Sequence, residues 1–243
     1  MIGGALILNN VKFKRKLSDH QMKHIVKINT IQHITHDVLQ IVTEKPTAFT
    51  FTPGQATEIS INKTGRKDKK SPFTFTSLPQ NNYLEFIIKT YPSRKGVTNE
   101  LLQLKDNDEL ILHDVFGAIS YKGEGLFIAG GAGITPFISI FRHLQAINKI
   151  GNNQLIFANK TKSDIINSQE FRILLDENFI NILSEENTYE YAFGQITEKF
   201  LRPHIDHIVK NVYVCGPPPM MDEIEMLLAK LHVDKNSIIK EVF

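Results

Sequence analysis

The sequence predicts an antiparallel β-barrel followed by an α/β domain built on a doubly wound parallel sheet. Three observations point there. The first half is a series of short β-branched and aromatic runs separated by turn formers. Near Tyr121 the rhythm changes to alternating strand-like and helix-like segments, the pattern of a parallel sheet with helical crossovers. Two apolar runs, ending at Ala129 and Cys215, break abruptly into glycine and proline before a helical pattern. A helix that starts after such a turn aims unpaired N–H groups and its positive dipole end at the gap, which favours a phosphate. Two such junctions suggest a nucleotide lying across the top of the sheet.

In the first half, strands are expected at 23–29, 38–43, 56–61, 83–90 and 109–114, bounded by Lys45-Pro46, Pro53-Gly54 and Gln80-Asn81-Asn82. One helix interrupts them at 99–104, with Thr98 as its N-cap and Leu101, Leu102 and Leu104 on its apolar face. The domain boundary falls in Tyr121-Lys122-Gly123-Glu124-Gly125, dividing the chain into residues 1–121 and 122–243. Beyond it, strands are expected at 126–129, 154–158, 179–183 and 211–215. Helices are expected at 136–147 and 163–175, from Thr197 onward, and at 219–231. No internal repeat is evident.

Composition narrows the classes. Of 243 residues, 42% are apolar and 22% charged, close to an ordinary globular protein and unlike a disordered one. No run approaches the roughly 20 apolar residues of a membrane helix. The first eight residues are apolar but lack a basic leader and a small-residue cleavage pattern, so they do not read as a signal peptide. The single cysteine, Cys215, excludes an internal disulfide and a four-cysteine iron–sulfur cluster, and points to a reducing, cytoplasmic compartment. The net charge of +2 says little about nucleic acid. Basic residues do cluster, at Lys12, Lys14, Arg15, Lys16, Lys23 and Lys27, and again at Lys63, Arg66, Lys67, Lys69 and Lys70. His33 and His36, and His204 and His207, are spaced three apart, but such pairs fall short of the four ligands of a structural metal site, and no metal is expected.

Four segments carry chemistry. Ile128-Ala129-Gly130-Gly131-Ala132-Gly133-Ile134-Thr135-Pro136 is a glycine turn opening a helix, with Pro136 where a missing N–H costs nothing. Its spacing departs from the common dinucleotide fingerprint. Ser71-Pro72-Phe73-Thr74-Phe75-Thr76-Ser77 alternates hydroxyls and aromatics, so at strand spacing Phe73 and Phe75 share one face and Thr74 and Thr76 the other. Lys89-Thr90-Tyr91-Pro92-Ser93-Arg94-Lys95-Gly96-Val97-Thr98 is a basic turn ending at a helix N-terminus. Val214-Cys215-Gly216-Pro217-Pro218 is the second glycine–proline turn.

In this order, from Lys23 to Phe243, these segments resemble the ferredoxin–NADP reductase family of flavoproteins. Ser71 to Ser77 looks like its flavin motif Arg-x-Tyr-Ser-x-x-Ser, Gly96-Val97-Thr98-Asn99 like its flavin diphosphate motif, and Pro53-Gly54-Gln55 like a turn common in its barrels. Gly130 to Pro136 looks like its nicotinamide pyrophosphate loop. The tail Lys240-Glu241-Val242-Phe243 looks like the aromatic ending that stacks on the flavin in some members. Two positions depart from the pattern. Ser71 stands where the family has an arginine facing the diphosphate, so Lys69, Lys70 or Arg94 would have to supply that charge. Phe73 stands where it has tyrosine, which leaves FAD or FMN open, FAD being the expectation.

The resemblance implies hydride transfer from NADH or NADPH to a bound flavin, then electron delivery to a separate carrier such as a small acidic flavodoxin or ferredoxin, steered by the basic clusters. It implies catalytic roles for Thr74 near the hydride-accepting position, for Cys215 beside the nicotinamide, and for Phe243 as a movable ring over the flavin. Flavin contacts are expected from Phe73, Thr74, Phe75, Thr76 and Ser77, and from Lys89, Tyr91, Gly96, Val97 and Thr98. Nicotinamide-dinucleotide contacts are expected from Gly130, Gly131, Gly133, Thr135 and Pro136, from Asn159 and Lys160, and from Cys215, Gly216 and Pro217. Lys160 and Lys162 would be positioned for a 2′-phosphate, while the same stretch also resembles NADH-using cytochrome b5 reductases, so the nicotinamide is not chosen. Two alternatives stand beside this reading: a non-enzymatic nucleotide-binding module of a larger complex, or a reductase of free flavin or a cytochrome.

Overall fold

A computed structural model describes residues 23–91, 96–117, 119–205 and 210–241. The first half forms six strands, β1 (His24–Thr35), β2 (Val38–Glu44), β3 (Ala56–Ile61), β4 (Ser71–Thr74), β5 (Tyr83–Lys89) and β6 (Glu109–Phe116), with one helix, α1 (Val97–Leu101). All neighbours are antiparallel in the order β4-β3-β6-β1-β2-β5. The two edges of this sheet meet. Phe75 bridges to Phe86, and the Thr76 N–H donates to the Glu85 carbonyl at 2.8 Å, which curls the sheet into a barrel. Its core is aromatic at the closure, where Phe75 stacks on Phe51 with centroids 4.2 Å apart.

The second half alternates. Strands β7 (Gly125–Gly130), β8 (Gln154–Asn159), β9 (Phe179–Leu183), β10 (Ala192–Phe193), β11 (Asn211–Cys215) and β12 (Ile238–Lys240) are interleaved with helices α2 (Thr135–Ala146), α3 (Ser168–Leu175), α4 (Glu198–Ile205) and α5 (Pro218–Lys230). The sheet is parallel in the order β10-β9-β8-β7-β11-β12. Although β7 is apolar throughout, its two faces divide cleanly. Phe127 and Ala129 pack with Phe137 and Phe141 of α2, while Leu126 and Ile128 pack with Ile224 and Leu228 of α5. A strand covered on both faces needs apolar residues at every position, which is why it reads as an unbroken run. Strand order departs in opposite directions from β7 toward β8 and β11, which makes the β7–β11 gap the switch point of the sheet.

Several sequence expectations need correction. β1 continues to Thr35, because 30–35 pairs with β2 through a two-residue turn at His36-Asp37 even though much of it is exposed. α1 begins at Val97 with Gly96 as its N-cap, so Thr98 is inside the helix; Val97 and Leu101, four apart, are drawn together into the barrel core. The segment 163–175 is not one helix. Asn167 adopts φ +53°, and the buried pair Ile165 and Ile166 separates a short 3-10 turn at Lys162–Asp164 from α3. The parallel edge strands β10 and β12 are too short to announce themselves in the sequence.

The two halves are locked along α2. Val38 and Ile87 of the barrel share one apolar cluster with Phe137, Ile138 and Phe141. The Gly54 N–H donates to Ser139 Oγ at 2.9 Å, from a turn whose φ of +96° and close approach to the Ile119 carbonyl both require glycine. Tyr213 of β11 clasps the connecting segment: its hydroxyl accepts from the Lys122 N–H and donates to the Gly123 carbonyl, each at 2.8 Å. Arg142 of α2 is the central clamp. Its Nη1 donates to Glu85 Oε1 at 2.6 Å and to the Thr76 carbonyl at 2.8 Å, while Nε and Nη2 grip Glu170 at 2.5 and 2.9 Å. Burial alone would lower the pKa of this guanidinium, but the Glu170 and Glu85 carboxylates more than offset it and hold it above its ordinary value.

Arg142→Ala would leave the buried Glu85 carboxylate without its counter-charge. The expected loss is about 3–5 kcal/mol of unfolding free energy in urea, partly recovered by adding Glu85→Gln.

Candidate functional site

The parallel pairing aligns the carboxyl ends of four strands, at Gly130, Asn159, Leu183 and Cys215. The turns after β7 and β11 touch each other there. A Cβ on Gly130 would lie 2.3 Å from Met220 Sδ, and one on Gly133 would lie 2.2 Å from the Cys215 carbonyl oxygen. Gly133 is therefore required by loop-to-loop packing against backbone, while Gly130 lies against the Met220 side chain. Gly131 differs: at φ +50° its missing Cβ would meet nothing within 4 Å, so the turn is open at that point. Thr135 donates its hydroxyl proton to the Ala132 carbonyl at 3.0 Å, leaving its oxygen as an acceptor. Pro136 is buried in the first turn of α2. Gly216 passes close to Gly130, and Pro217 caps α5.

Cys215 ends β11 and is buried. Burial first, and the charge of Glu241 second, push its thiol up to about 12. It is a neutral thiol at physiological pH rather than a reactive thiolate. Glu241, itself 6% exposed, is a residue the sequence reading passed over. The signal was the register of β12: Lys240 pairs with Val214, so the next residue lies level with Cys215. On its other side Glu241 meets the barrel, since a Cβ on Gly117 would lie 3.1 Å from Glu241 Oε1. Gly117 follows Phe116, Phe116 pairs with Ala56, and Ala56 pairs with Thr74. Glu241 thus ties the end of β11 to the end of β6, whose row in the barrel leads through Ala56 to Thr74. Phe243 lies outside the described residues, as does Arg94.

On the barrel side the expected set divides. The Thr74 side chain makes no hydrogen bond among the described residues, and Phe73 is half-buried beside the barrel core. Phe75 is wholly core, and its side chain is withdrawn from any ligand. Thr76 donates its hydroxyl to Glu85 Oε1 at 2.7 Å, and Ser77 Oγ accepts from the Glu85 N–H at 3.1 Å. Both hydroxyls thus serve the barrel closure and the Arg142 clamp. Phe73 and Phe75 both pack on the barrel core, and beyond Thr74 the chain leaves the β3 edge and crosses to β5. Val97 is likewise core, while Gly96 faces open space. Lys89 Nζ pairs with Asp37 at 2.8 Å and approaches Asp164 at 3.9 Å; Tyr91 is exposed. His36, Asp37 and Asp164 form a small group of metal-ligand type, into which Lys89 already reaches. His207 lies outside the described residues.

The second basic cluster is largely neutralised by its own surroundings. Lys63 pairs with Asp108 at 3.0 Å, Lys70 with Glu58 at 3.2 Å, and Arg66 and Lys69 both with Glu100. At the far end of the parallel sheet, Asn159 is 8% exposed, and neither its amide nitrogen nor its amide oxygen has a hydrogen-bond partner. A buried amide left unsatisfied at the carboxyl end of a strand fits a site completed by a ligand. The open turn at Gly131, the unengaged Thr74 hydroxyl and the Asn159 amide together fit a flavin and a dinucleotide. Among the described residues, no helix is long and apolar enough to cross a membrane.

The thiol carries a pH signature. Its folded pKa, about 12, lies above the ordinary 9.0, so its contribution is complete below pH 9 and is lost as pH rises toward 12. Relative to Cys215→Ala, the native chain should lose about 1.4 kcal/mol of unfolding free energy per pH unit across that window, read by urea unfolding.

Residues 23–123 match the family described as an FAD-binding domain, and residues 127–226 the family described as an oxidoreductase NAD-binding domain. The chain is 29% identical over 236 residues to the reductase component of propane 2-monooxygenase from Rhodococcus jostii, a match covering 89% of this chain and 62% of that relative. It therefore spans less than two-thirds of that protein. In structure it is similar to the CS-b5R domains of human Ncb5or, with TM-score 0.79, 24% identity and coverage of 93% and 71% of the two chains. It is also similar to a ferredoxin NADP+ reductase from Neisseria gonorrhoeae with bound FAD and NADP, with TM-score 0.78, 16% identity and coverage of 90% and 98%. Matched in this order on this pair of sheets, the chain carries an FAD-binding domain followed by an oxidoreductase NAD-binding domain, on a fold similar to that of the ferredoxin NADP+ reductase.

Proposed function

We propose that this chain is an NAD(P)H-dependent flavoprotein reductase that passes electrons through bound FAD to a separate electron-transfer or oxygenase protein. The observation that supports this reading is Glu241, which lies beside Cys215 at the end of β11 and against Gly117 after β6, in the row of the barrel that runs through Ala56 to Thr74. The flavin half is taken as ending at Tyr121 and the nicotinamide half as beginning at Lys122. The name of the Rhodococcus relative, a reductase component, supports a partner on a separate chain.

FAD, when bound, accepts a hydride from the nicotinamide and can release its electrons one at a time. The chain's own residues would bind and orient. Thr74 would hold the flavin ring through its unengaged hydroxyl, with Phe73 alongside. Gly96 and Thr98 would meet the flavin diphosphate, with Lys89 and Tyr91 nearby. Gly131 and the first turn of α2 would receive the dinucleotide pyrophosphate, where the turn is open. Cys215 would bound the nicotinamide with a small neutral group. Kept protonated by burial and by Glu241, it can donate a hydrogen bond and does not attack the ring.

The electron acceptor is a small carrier such as a flavodoxin or ferredoxin, or the oxygenase component itself. The pairing of Lys63, Arg66, Lys69 and Lys70 with local carboxylates leaves little excess positive charge on that loop, so docking would rest on surface fit more than on long-range steering.

The purified protein should be yellow and should bleach on anaerobic addition of a reduced nicotinamide. A protein that binds flavin without bleaching overturns the reductase reading. Cys215→Ala should slow hydride transfer in stopped flow by about 10- to 100-fold while leaving bound flavin unchanged. Hydride transfer at the native rate removes Cys215 from the site.

A further inference from the structure

Resting on the reading above, we infer that the acidic segment after β9, centred on Glu185 and Glu186, selects NADH over NADPH. The sequence offers Lys160 and Lys162 as natural partners for a 2′-phosphate. In the fold each already faces a carboxylate. Lys160 Nζ is held by Glu185 Oε1 at 2.7 Å, and Lys162 Nζ by Glu190 Oε2 at 2.5 Å. The Lys162 backbone N–H is also taken, donating to Glu186 Oε2 at 2.6 Å. Arg172, the next cation along this edge, bonds the Tyr191 hydroxyl and lies 3.7 Å from Glu190.

The arrangement is built by the backbone. Asn159 pairs with Leu183 across the ends of β8 and β9, and the chain beyond β9 stays in register. The Ser184 N–H donates to the Asn159 carbonyl, and the Glu185 N–H to the Lys160 carbonyl, each at 2.9 Å. The segment 184–186 is therefore anchored along the loop that follows Asn159, with its carboxylates on Lys160 and on the Lys162 N–H, next to the buried Asn159 side-chain amide that has no hydrogen-bond partner. The loop on the β8 side is rigid too, because Asp164 accepts from both the Thr161 N–H and its hydroxyl in a capping box.

In an open parallel sheet the adenosine ribose of a dinucleotide lies at this strand end, where a carboxylate accepts from a free 2′-hydroxyl and a cation accommodates a 2′-phosphate. Here Lys160, Lys162 and Arg172 face Glu185, Glu186 and Glu190, so a 2′-phosphate would meet cations already neutralised and carboxylates that repel it. A 2′-hydroxyl breaks none of these pairs and can donate to Glu185 or Glu186.

The test is calorimetric titration of the purified, flavin-loaded full chain with NAD+ and with NADP+, together with anaerobic bleaching by NADH and NADPH. NAD+ should bind about tenfold or more tightly than NADP+, and NADH should bleach the flavin faster at limiting concentration. Glu185→Arg should shift the affinity ratio toward NADP+ by about tenfold or more, and Glu190→Gln, which releases Lys162, should shift it in the same direction. Equal or tighter binding of NADP+ to the native chain, or a ratio unmoved by both substitutions, overturns the inference while leaving the reductase reading intact. Selective binding of NAD+ without bleaching supports the inference and removes the reductase reading. Binding of neither nucleotide removes both.

Discussion

Arg142 is the interaction on which the junction of the two halves depends. One guanidinium, on the first helix of the parallel domain, closes the barrel through Glu85 and the Thr76 carbonyl and fixes α3 through Glu170. Glu85 is in turn held by the Thr76 hydroxyl and by the Ser77 turn. The same network fixes the chain just beyond Thr74. The network is largely buried and multiply bonded, a condition that favours one arrangement of its charged groups. The apolar contacts of Val38 and Ile87 with α2 add area without direction, and the directional bonds supply the register.

A second constraint is spatial. The turns after β7 and β11 approach so closely that Gly133 has no room for a methyl group beside the Cys215 carbonyl, and Gly130 lies against the Met220 side chain. Glycine here brings two strand ends together, and the ligand-facing opening is left to Gly131. The same closeness buries the Cys215 thiol and brings Glu241 near it, so a reactive side chain is kept neutral by its position. A site that must hold two flat rings without chemical side reactions benefits from such a group.

Charge is arranged locally across this molecule. The lysine-rich loop after β3 and the lysines after β8 both read as basic in sequence, yet each is matched by carboxylates brought in from elsewhere: Glu58, Glu100 and Asp108 in one case, Glu185, Glu186 and Glu190 in the other. These exposed pairs contribute little to stability. Their consequence is for recognition, because a cation already paired attracts a new anion weakly.

The two-domain order, the strand-to-helix rhythm after Tyr121 and the two glycine–proline turns were legible in the sequence, because each follows from local patterning: apolar runs for doubly covered strands, and turn residues where the chain must bend. Motif position alone singles out Thr74 and Cys215 as candidates. The barrel closure at Phe75, the use of Thr76 and Ser77 to hold Glu85, the approach of Glu241 to Cys215 and the neutralisation of Lys160 by Glu185 could not. Each joins residues far apart in the chain, or depends on a short edge strand whose register only the assembled sheet decides. Periodicity records which face a residue takes; it carries no record of which distant group will meet it there.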